Sequence, residues 1–403
     1  MCKYDDITME PIPPALAPGK KEHVLVPQDE CIVNVNEGPR RRWLKGDQQP
    51  LKKKGNGRAV HICGWICETT RHLHLSDGQI AAQSALPEAQ RLKVTDSHKI
   101  IYPGKNHDAW WDLKQLMDQM THAINIFEHL HPEKVGIWLF DCSSAHEGLA
   151  EDALNVNNMN VNPGGKQHHL HTTTIPISNP PPKPGRHDTR GEQQEMVYPP
   201  DHPDPTLCGL PKGMKAVLQE RESVWDELVA NGNGRVVGKC KSCSKSQAKK
   251  DAERRVAEAE SMGQENTLAD DIIAQAQEPM TTEPASDWCC MYRALSLQED
   301  FATEKPMLQH YIQNWGHICM FLPKFHCELN PIEMLWGYAK YRESLTSFCF
   351  DYSSLISLKG YRNTSDGKFA TAKQLVPKCL DLCDTLTIRR LFRKSWRYMD
   401  AYS

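Results

Sequence analysis

Apolar positions fall into short runs and helical stripes along this chain, and several runs end on a carboxylate. HVLVPQDECIVNVNEG opens with the run Val24 to Val26, reaches the acidic pair Asp29 and Glu30, and alternates from Cys31 to Val35. The turn residues Asn36, Glu37 and Gly38 follow, so a hairpin is expected, with a third strand at Arg58 to Ile66 after the glycine-punctuated KKKGNGR. Strands in such quick succession form an antiparallel meander. From Ala109 to Leu130, Trp110, Leu113, Met117, Met120, Ile124 and Phe127 recur at three- and four-residue steps. That period predicts an amphipathic helix, ended by His131-Pro132. VGIWLF, Val135 to Phe140, then reads as a buried strand ending on Asp141. A carboxylate at the C-terminal end of such a strand sits where α/β folds keep their chemistry.

The texture changes from Ala150 to about Asp287. Residues Pro176 to Pro205 hold nine of the chain's 27 prolines, too many for a regular core element. Lys215 to Ala230 reads as helical, and Lys245 to Met262 as a solvated helix of charge and alanine. The region is read as a mostly helical insertion into an α/β domain. Core texture returns at His317, where ICMFL, Ile318 to Leu322, predicts another strand, and Lys373 to Tyr398 is again helical. One stretch breaks the pattern: Glu343 to Gly360, between two Tyr-Arg pairs, interrupts a helical period that would otherwise continue. Its eighteen residues are a whole number of codons, and a translated intron is the expected origin. The first twenty residues are proline-rich and expected to be without structure.

With 403 residues, 39% of them hydrophobic and 25% charged, the chain can hold two units or one domain with a large insert. The net charge of −3 gives no overall positive field, so any nucleic-acid contact must come from local basic patches. No apolar stretch spans a membrane and no signal peptide opens the chain; fifteen cysteines then point to a reducing compartment with free thiols or metal sites.

LNPIEMLW is the most informative segment. Asn330 suits an N-cap, Pro331 the first helical position, and Glu333 falls third, which a capping box explains by itself. Yet Glu333 also follows a strand and loop and shares its helical face with Trp336, Gly337 and Lys340. Asp29, Asp141 and Glu333 thus end three separate elements, and two Asp plus one Glu can hold a pair of hard divalent cations. Cys240 and Cys243 form a CxxC knuckle, with Cys289 and Cys290 beyond the charged helix. Four thiolates can close a structural zinc site, with His310 or His317 able to replace one, or they remain ordinary reduced cysteines. Arg40, Arg41, Arg42, Lys52, Lys53 and Lys54 flank the hairpin and can neutralise phosphates, serve as a nuclear import signal, or decorate a solvated tip. Lys324 and Lys340 are further candidates for phosphate contact.

VLVPQDECIVN, RRRWLKGDQQPLKKKGNGRAVHICGW, FDCSSAH (with His146 five residues after Asp141) and FHCELNPIEMLWGYAK together resemble the mariner-type DDE transposases, particularly the large versions of fungal genomes. The resemblance covers most of residues 20 to 398. It implies an RNase H-like α/β fold, a mixed sheet flanked by helices, with a large insertion between the second Asp and the final Glu. Asp29, Asp141 and Glu333 would be catalytic, holding two Mg²⁺ or Mn²⁺ for cleavage at transposon ends and strand transfer into target DNA. It further implies a nuclear location, DNA as partner and a homodimer, with no membrane association. The layout expected is a stub at 1–20, the first part of the core at 21–150, the insertion at 151–290, and the second part with Glu333 at 291–342. The extra segment 343–360 and C-terminal helices at 361–403 follow. Pro27 departs from the family by placing a proline in a central strand, where it removes a ladder hydrogen bond. Asp141 and Glu333 lie 192 positions apart, a spacer shared with the long-insert relatives. The helix-turn-helix domain of related elements is missing ahead of the first motif, so an N-terminally truncated copy is expected. The alternative is a catalytically dead, transposase-derived DNA- or partner-binding protein.

Overall fold

The computed structural model describes residues 1–37, 54–104, 107–143, 146–232, 234–245, 287–341, 361–381 and 383–402. The extra segment 343–360, nearly all of the charged helix after Lys245, and Arg40, Arg41, Arg42, Lys52 and Lys53 lie outside the described residues. The chain divides into two units, one formed by Met1–Glu147 with Leu308–Ser403 and the other by Gly148–Met307.

The first unit is a mixed α/β layer structure. Its sheet is built from β1 (His23–Asn34), β2 (Ala59–Cys67), β3 (Arg71–His72), β4 (Lys99–Ile101), β5 (Val135–Phe140) and β6 (Ile318–Phe321). Across the sheet the order is β6-β5-β1-β2-β3, with β4 also pairing β2. The β6–β5 and β5–β1 pairs are parallel, whereas β2 pairs antiparallel with β1, β3 and β4. The run Val24–Val26 and the alternation Cys31–Val35, read from sequence as two strands, are one twelve-residue strand. Residues 23–27 of β1 pair with 135–139 of β5, and residues 28–34 pair with β2 on the other edge. Pro27 falls at the last pair of the parallel ladder, opposite Leu139, so its missing N–H costs the sheet little there.

Helices cover both faces. On one side α1 (Leu113–Leu130) and α2 (Met307–Asn314) bury Leu116, Met120, Ile124, Phe127, Leu308 and Ile312 against Val24, Val26, Trp65 and Trp138. On the other, α3 (Pro331–Tyr341), α4 (Phe369–Asp381) and α5 (Thr385–Tyr402) pack on Leu25, Cys31, Val33, Ile62 and Leu139. The first helix begins at Leu113, later than Ala109, because Asp112 caps it by accepting from Gln115 N at 2.8 Å. The single helix expected over 373–398 is two, and Asp384 opens the second by accepting from Thr387 N at 2.7 Å.

The stub expected at 1–20 instead carries a short hairpin, Lys3–Tyr4 against Pro11–Ile12. It is fixed to α5: Arg389 donates to Met9 O at 2.9 Å and lies over the Tyr4 ring, and Arg393 pairs with Asp6. In the second unit, the helix expected over 215–230 breaks into Met214–Glu220 and Glu222–Asn231. Arg221 lies at the break, its buried guanidinium forked onto Asp300 at 2.9 and 2.6 Å. A tertiary ion pair thus overrides the local helical period. No helix among the described residues is long and apolar enough to cross a membrane.

Candidate metal centres

The register of the parallel ladder sets the first centre. Pro27 closes the parallel ladder opposite Leu139, and Asp141 follows two residues later, just past the end of β5 and beside the stretch of β1 that carries Asp29. Adjacent strands lie about 4.8 Å apart. The face that carries Asp29 is the one α3 covers. Asn330 ties the start of α3 to β1 by donating its amide to Gln28 O at 3.1 Å. Its Oδ1 has no hydrogen-bond partner, so the expected capping box does not form: the side chain is used across the sheet. Glu333 turns towards Asp29, and one turn later Trp336 donates Nε1 to Asp29 Oδ2 at 2.9 Å. Gly64 is the register partner of Asp29; a Cβ there would stand 2.6 Å from the His98 ring and 3.6 Å from Trp336. A glycine is therefore needed at 64 for the indole and imidazole to close over this stretch of β2.

Three carboxylates from three elements thus lie near enough on one sheet face to repel one another, with Glu333 hydrogen-bonded to Asp29, but their oxygens do not converge as tightly as the thiolates of the second centre. Burial, followed by repulsion from Glu333, Glu30 and Asp141, pushes the Asp29 carboxyl well above its ordinary range. Glu333 is raised as well, by burial and then by Asp141, while Lys340 pulls it back. A divalent cation would relieve this repulsion, and an all-oxygen donor set suits Mg²⁺ or Mn²⁺.

Behind this face stands a support that sequence reasoning passed over. Glu30 points to the opposite side of β1, where its Oε1 accepts from Gln28 Nε2 and Trp111 Nε1, both at 2.9 Å. His146, fully buried, spans from Asp141 Oδ1 (Nδ1 at 2.5 Å) to Glu30 Oε1 (Nε2 at 3.5 Å). Burial works against the imidazolium, but the two flanking carboxylates outweigh it and hold the His146 pKa well above the usual value. Burial likewise works against the Glu30 carboxylate, and His146 with Gln28 draws its pKa down to about 2. Trp111 also stacks on His61 with ring centroids 5.6 Å apart. The signal available in sequence was strand alternation, which sends Glu30 to the face opposite Asp29. Of the basic candidates among the described residues, Lys340 lies beside Glu333, Lys324 pairs with Glu147 at 3.7 Å and Lys54 is exposed.

The second centre lies in the other unit. Cys240, Cys243, Cys289 and Cys290 bring their sulfurs within 4.8 Å of one another, and among the described residues no other His, Cys, Asp or Glu group converges so tightly. Cys289 is the hub, 3.6 Å from Cys240 and Cys243 and 3.8 Å from Cys290. The knuckle half is organised locally, Cys243 N–H donating to Cys240 Sγ at 3.4 Å. The halves are joined by backbone bonds from Met291 N to Val237 O and from Tyr292 N to Gly238 O, at 3.0 and 2.9 Å. This cluster can bind a metal ion. His310, in the first unit, bonds Asn314, and His317 accepts from the Gly136 N–H and pairs with Glu128.

Compared with protein-family models, curated proteins and solved structures, the chain matches none.

Proposed function

We propose that the first unit is the catalytic region of a DDE transposase of RNase H-like fold, acting on DNA through two Mg²⁺ or Mn²⁺ ions. The neighbourhood of Asp29, Asp141 and Glu333, brought from β1, the end of β5 and α3 to within mutual repulsion, carries the reading. The sheet supports it, with three antiparallel strand positions followed by two parallel ones and helices on both faces. Two ions bound there would activate a water or a 3′-hydroxyl and stabilise the leaving oxygen of a phosphodiester. Asp29, buried and flanked by the charges of Glu333 and Asp141, would be shared between the ions. Asp141 is oriented by His146, and Glu333 approaches from the helix side. Lys324 and Lys340 flank these carboxylates as phosphate contacts, Lys324 once released from Glu147. Transposon ends and target DNA are the partners this chemistry requires, and the nucleus is its place.

The four-cysteine centre we assign to a structural zinc. A tetrahedral ion with Zn–S bonds of about 2.3 Å sets sulfur–sulfur edges of about 3.8 Å, close to the spacings around Cys289. All four positions are taken by protein, so no open site remains for catalysis.

The deciding experiment is nicking of supercoiled plasmid by purified protein with Mn²⁺, beside Asp141→Asn. Nicking that the substitution abolishes supports a live carboxylate site. Failure of the folded wild type to nick removes the catalytic reading and leaves a transposase-derived binding protein.

A further inference from the structure

Phe325 is 99% exposed and has a left-handed backbone, φ 69°. Each feature is unfavourable by itself: a bare aromatic ring forfeits its burial, and a bulky residue at positive φ is a steric outlier. A glycine or asparagine would hold this turn with less strain. The segment around it is anchored. Leu322 N–H bonds Phe140 O at 2.8 Å, and Cys142 Sγ donates to Leu322 O at 2.9 Å. Lys324 pairs with Glu147, while His326 pairs with Glu328 at 2.8 Å and packs edge-on against Tyr402. Lys324 and His326 are partly exposed but each holds an ion-pair partner, whereas the Phe325 ring stands 99% bare. The loop that presents it links β6, which lies beside the strand ending just before Asp141, to the helix carrying Glu333.

We propose that Phe325 is a stacking residue that receives a nucleobase of the DNA strand lying over the carboxylates. The proposal rests on the DNA-cleavage reading above. Every base offers a π face, so a single ring beside a phosphate-binding lysine grips a strand without selecting its sequence. Unpaired or unstacked bases next to the cleaved bond are the natural occupants, because a base within an intact duplex cannot present its face to the ring.

The test compares wild type with Phe325→Ala, Phe325→Trp and Phe325→Gly, using a short single-stranded oligonucleotide that carries 2-aminopurine. Loss of one base–aromatic stack is expected to weaken binding by roughly 5- to 150-fold in Phe325→Ala. Phe325→Trp should bind within about threefold of wild type and quench 2-aminopurine. The salt dependence of binding should not change, because no phosphate contact is lost. Phe325→Gly should bind as weakly as the alanine variant while its melting temperature rises, since the strained backbone is relieved. Unchanged affinity in Phe325→Ala, a lower melting temperature in Phe325→Gly, or loss of self-association with DNA binding intact would each overturn the proposal. Its failure is separable from that of the catalytic reading: wild type that nicks plasmid while Phe325→Ala binds and nicks equally well refutes the stacking role alone.

Discussion

Replacing Cys289 with serine tests the zinc assignment at its most connected atom. Its sulfur is within 3.8 Å of the other three, so serine removes the shared corner of the tetrahedron. Cys243 and Cys289 are 46 positions apart in sequence, and an ion joining them closes a loop of that length. In the chain-entropy description, a cross-link closing about 46 residues restricts the unfolded chain by about 4 kcal/mol. Three remaining ligands can retain part of the ion, so the expected loss is about 2–4 kcal/mol. For a unit of this size that lowers its melting temperature by about 5–15 °C. Trp288, beside the hub and packed on the core of the second unit, is a local fluorescence reporter. The assay follows its emission through thermal unfolding, with zinc counted by elemental mass spectrometry and cobalt substitution read by its thiolate charge-transfer band. Protein purified without chelator should carry one zinc per chain, and EDTA should reproduce the serine phenotype. A metal-free wild type that takes up no cobalt, or a Cys289→Ser variant melting with the wild type, would refute the assignment.

Two further predictions concern buried charge in the first unit. Burial pushes the Glu68 carboxyl up to about 7 against the pull of Arg389, from an ordinary value of 4.5. A raised folded-state value means the native state holds its proton longer, so stability falls as pH rises from about 4.5 through about 7, by up to about 3 kcal/mol. Glu68→Gln should therefore match wild type in urea unfolding at pH 4.5 and exceed it at pH 8; an equal difference at both pH values contradicts the account. Glu30→Ala strips the acceptor from Trp111 Nε1 and Gln28 Nε2 and removes a partner of buried His146. Buried polar groups left unpaired cost about 1–3 kcal/mol each, so a loss of about 3 kcal/mol is expected, partly recovered by Glu30→Gln. A loss below about 0.5 kcal/mol would show that Glu30 supports nothing.

What could be read from sequence was what local pattern determines. VGIWLF is β5 residue for residue, because a short apolar run bounded by a proline turn and an aspartate admits few other conformations. The positions of Asp141 and Glu333 at element ends, and the pairing of the CxxC knuckle with Cys289-Cys290, were legible in the same way. Contacts across the fold were not. Periodicity assigns Trp111 and Glu30 to faces without saying that they meet, 81 positions apart. The role of Asn330 was misread for that reason: its sequence neighbours suit a cap, but the stronger claim on its amide is Gln28 O, 302 positions away. Arg221 is similar, since a buried partner at Asp300 decides its backbone and the helical stripe does not.

Pro27 shows how a local rule can count against a site that the fold accommodates. From sequence it weakens a central strand two residues before the first aspartate. In the sheet, residue 27 closes the pairing with β5 and residue 28 opens the pairing with β2, so the missing donor falls at a change of partner. The same change leaves the β5-side edge of β1 unladdered from Gln28 onward. Gln28 O is consequently free to accept from Asn330, which anchors the helix that carries Glu333. With β5 ending at Phe140, the chain can also turn at Asp141 and bring His146 beneath it. Had the parallel ladder run on, the strand backbone would have consumed that carbonyl. The proline therefore stands at the point where the sheet must stop for the three carboxylates to lie near one another, and it ceases to be an argument against a working site.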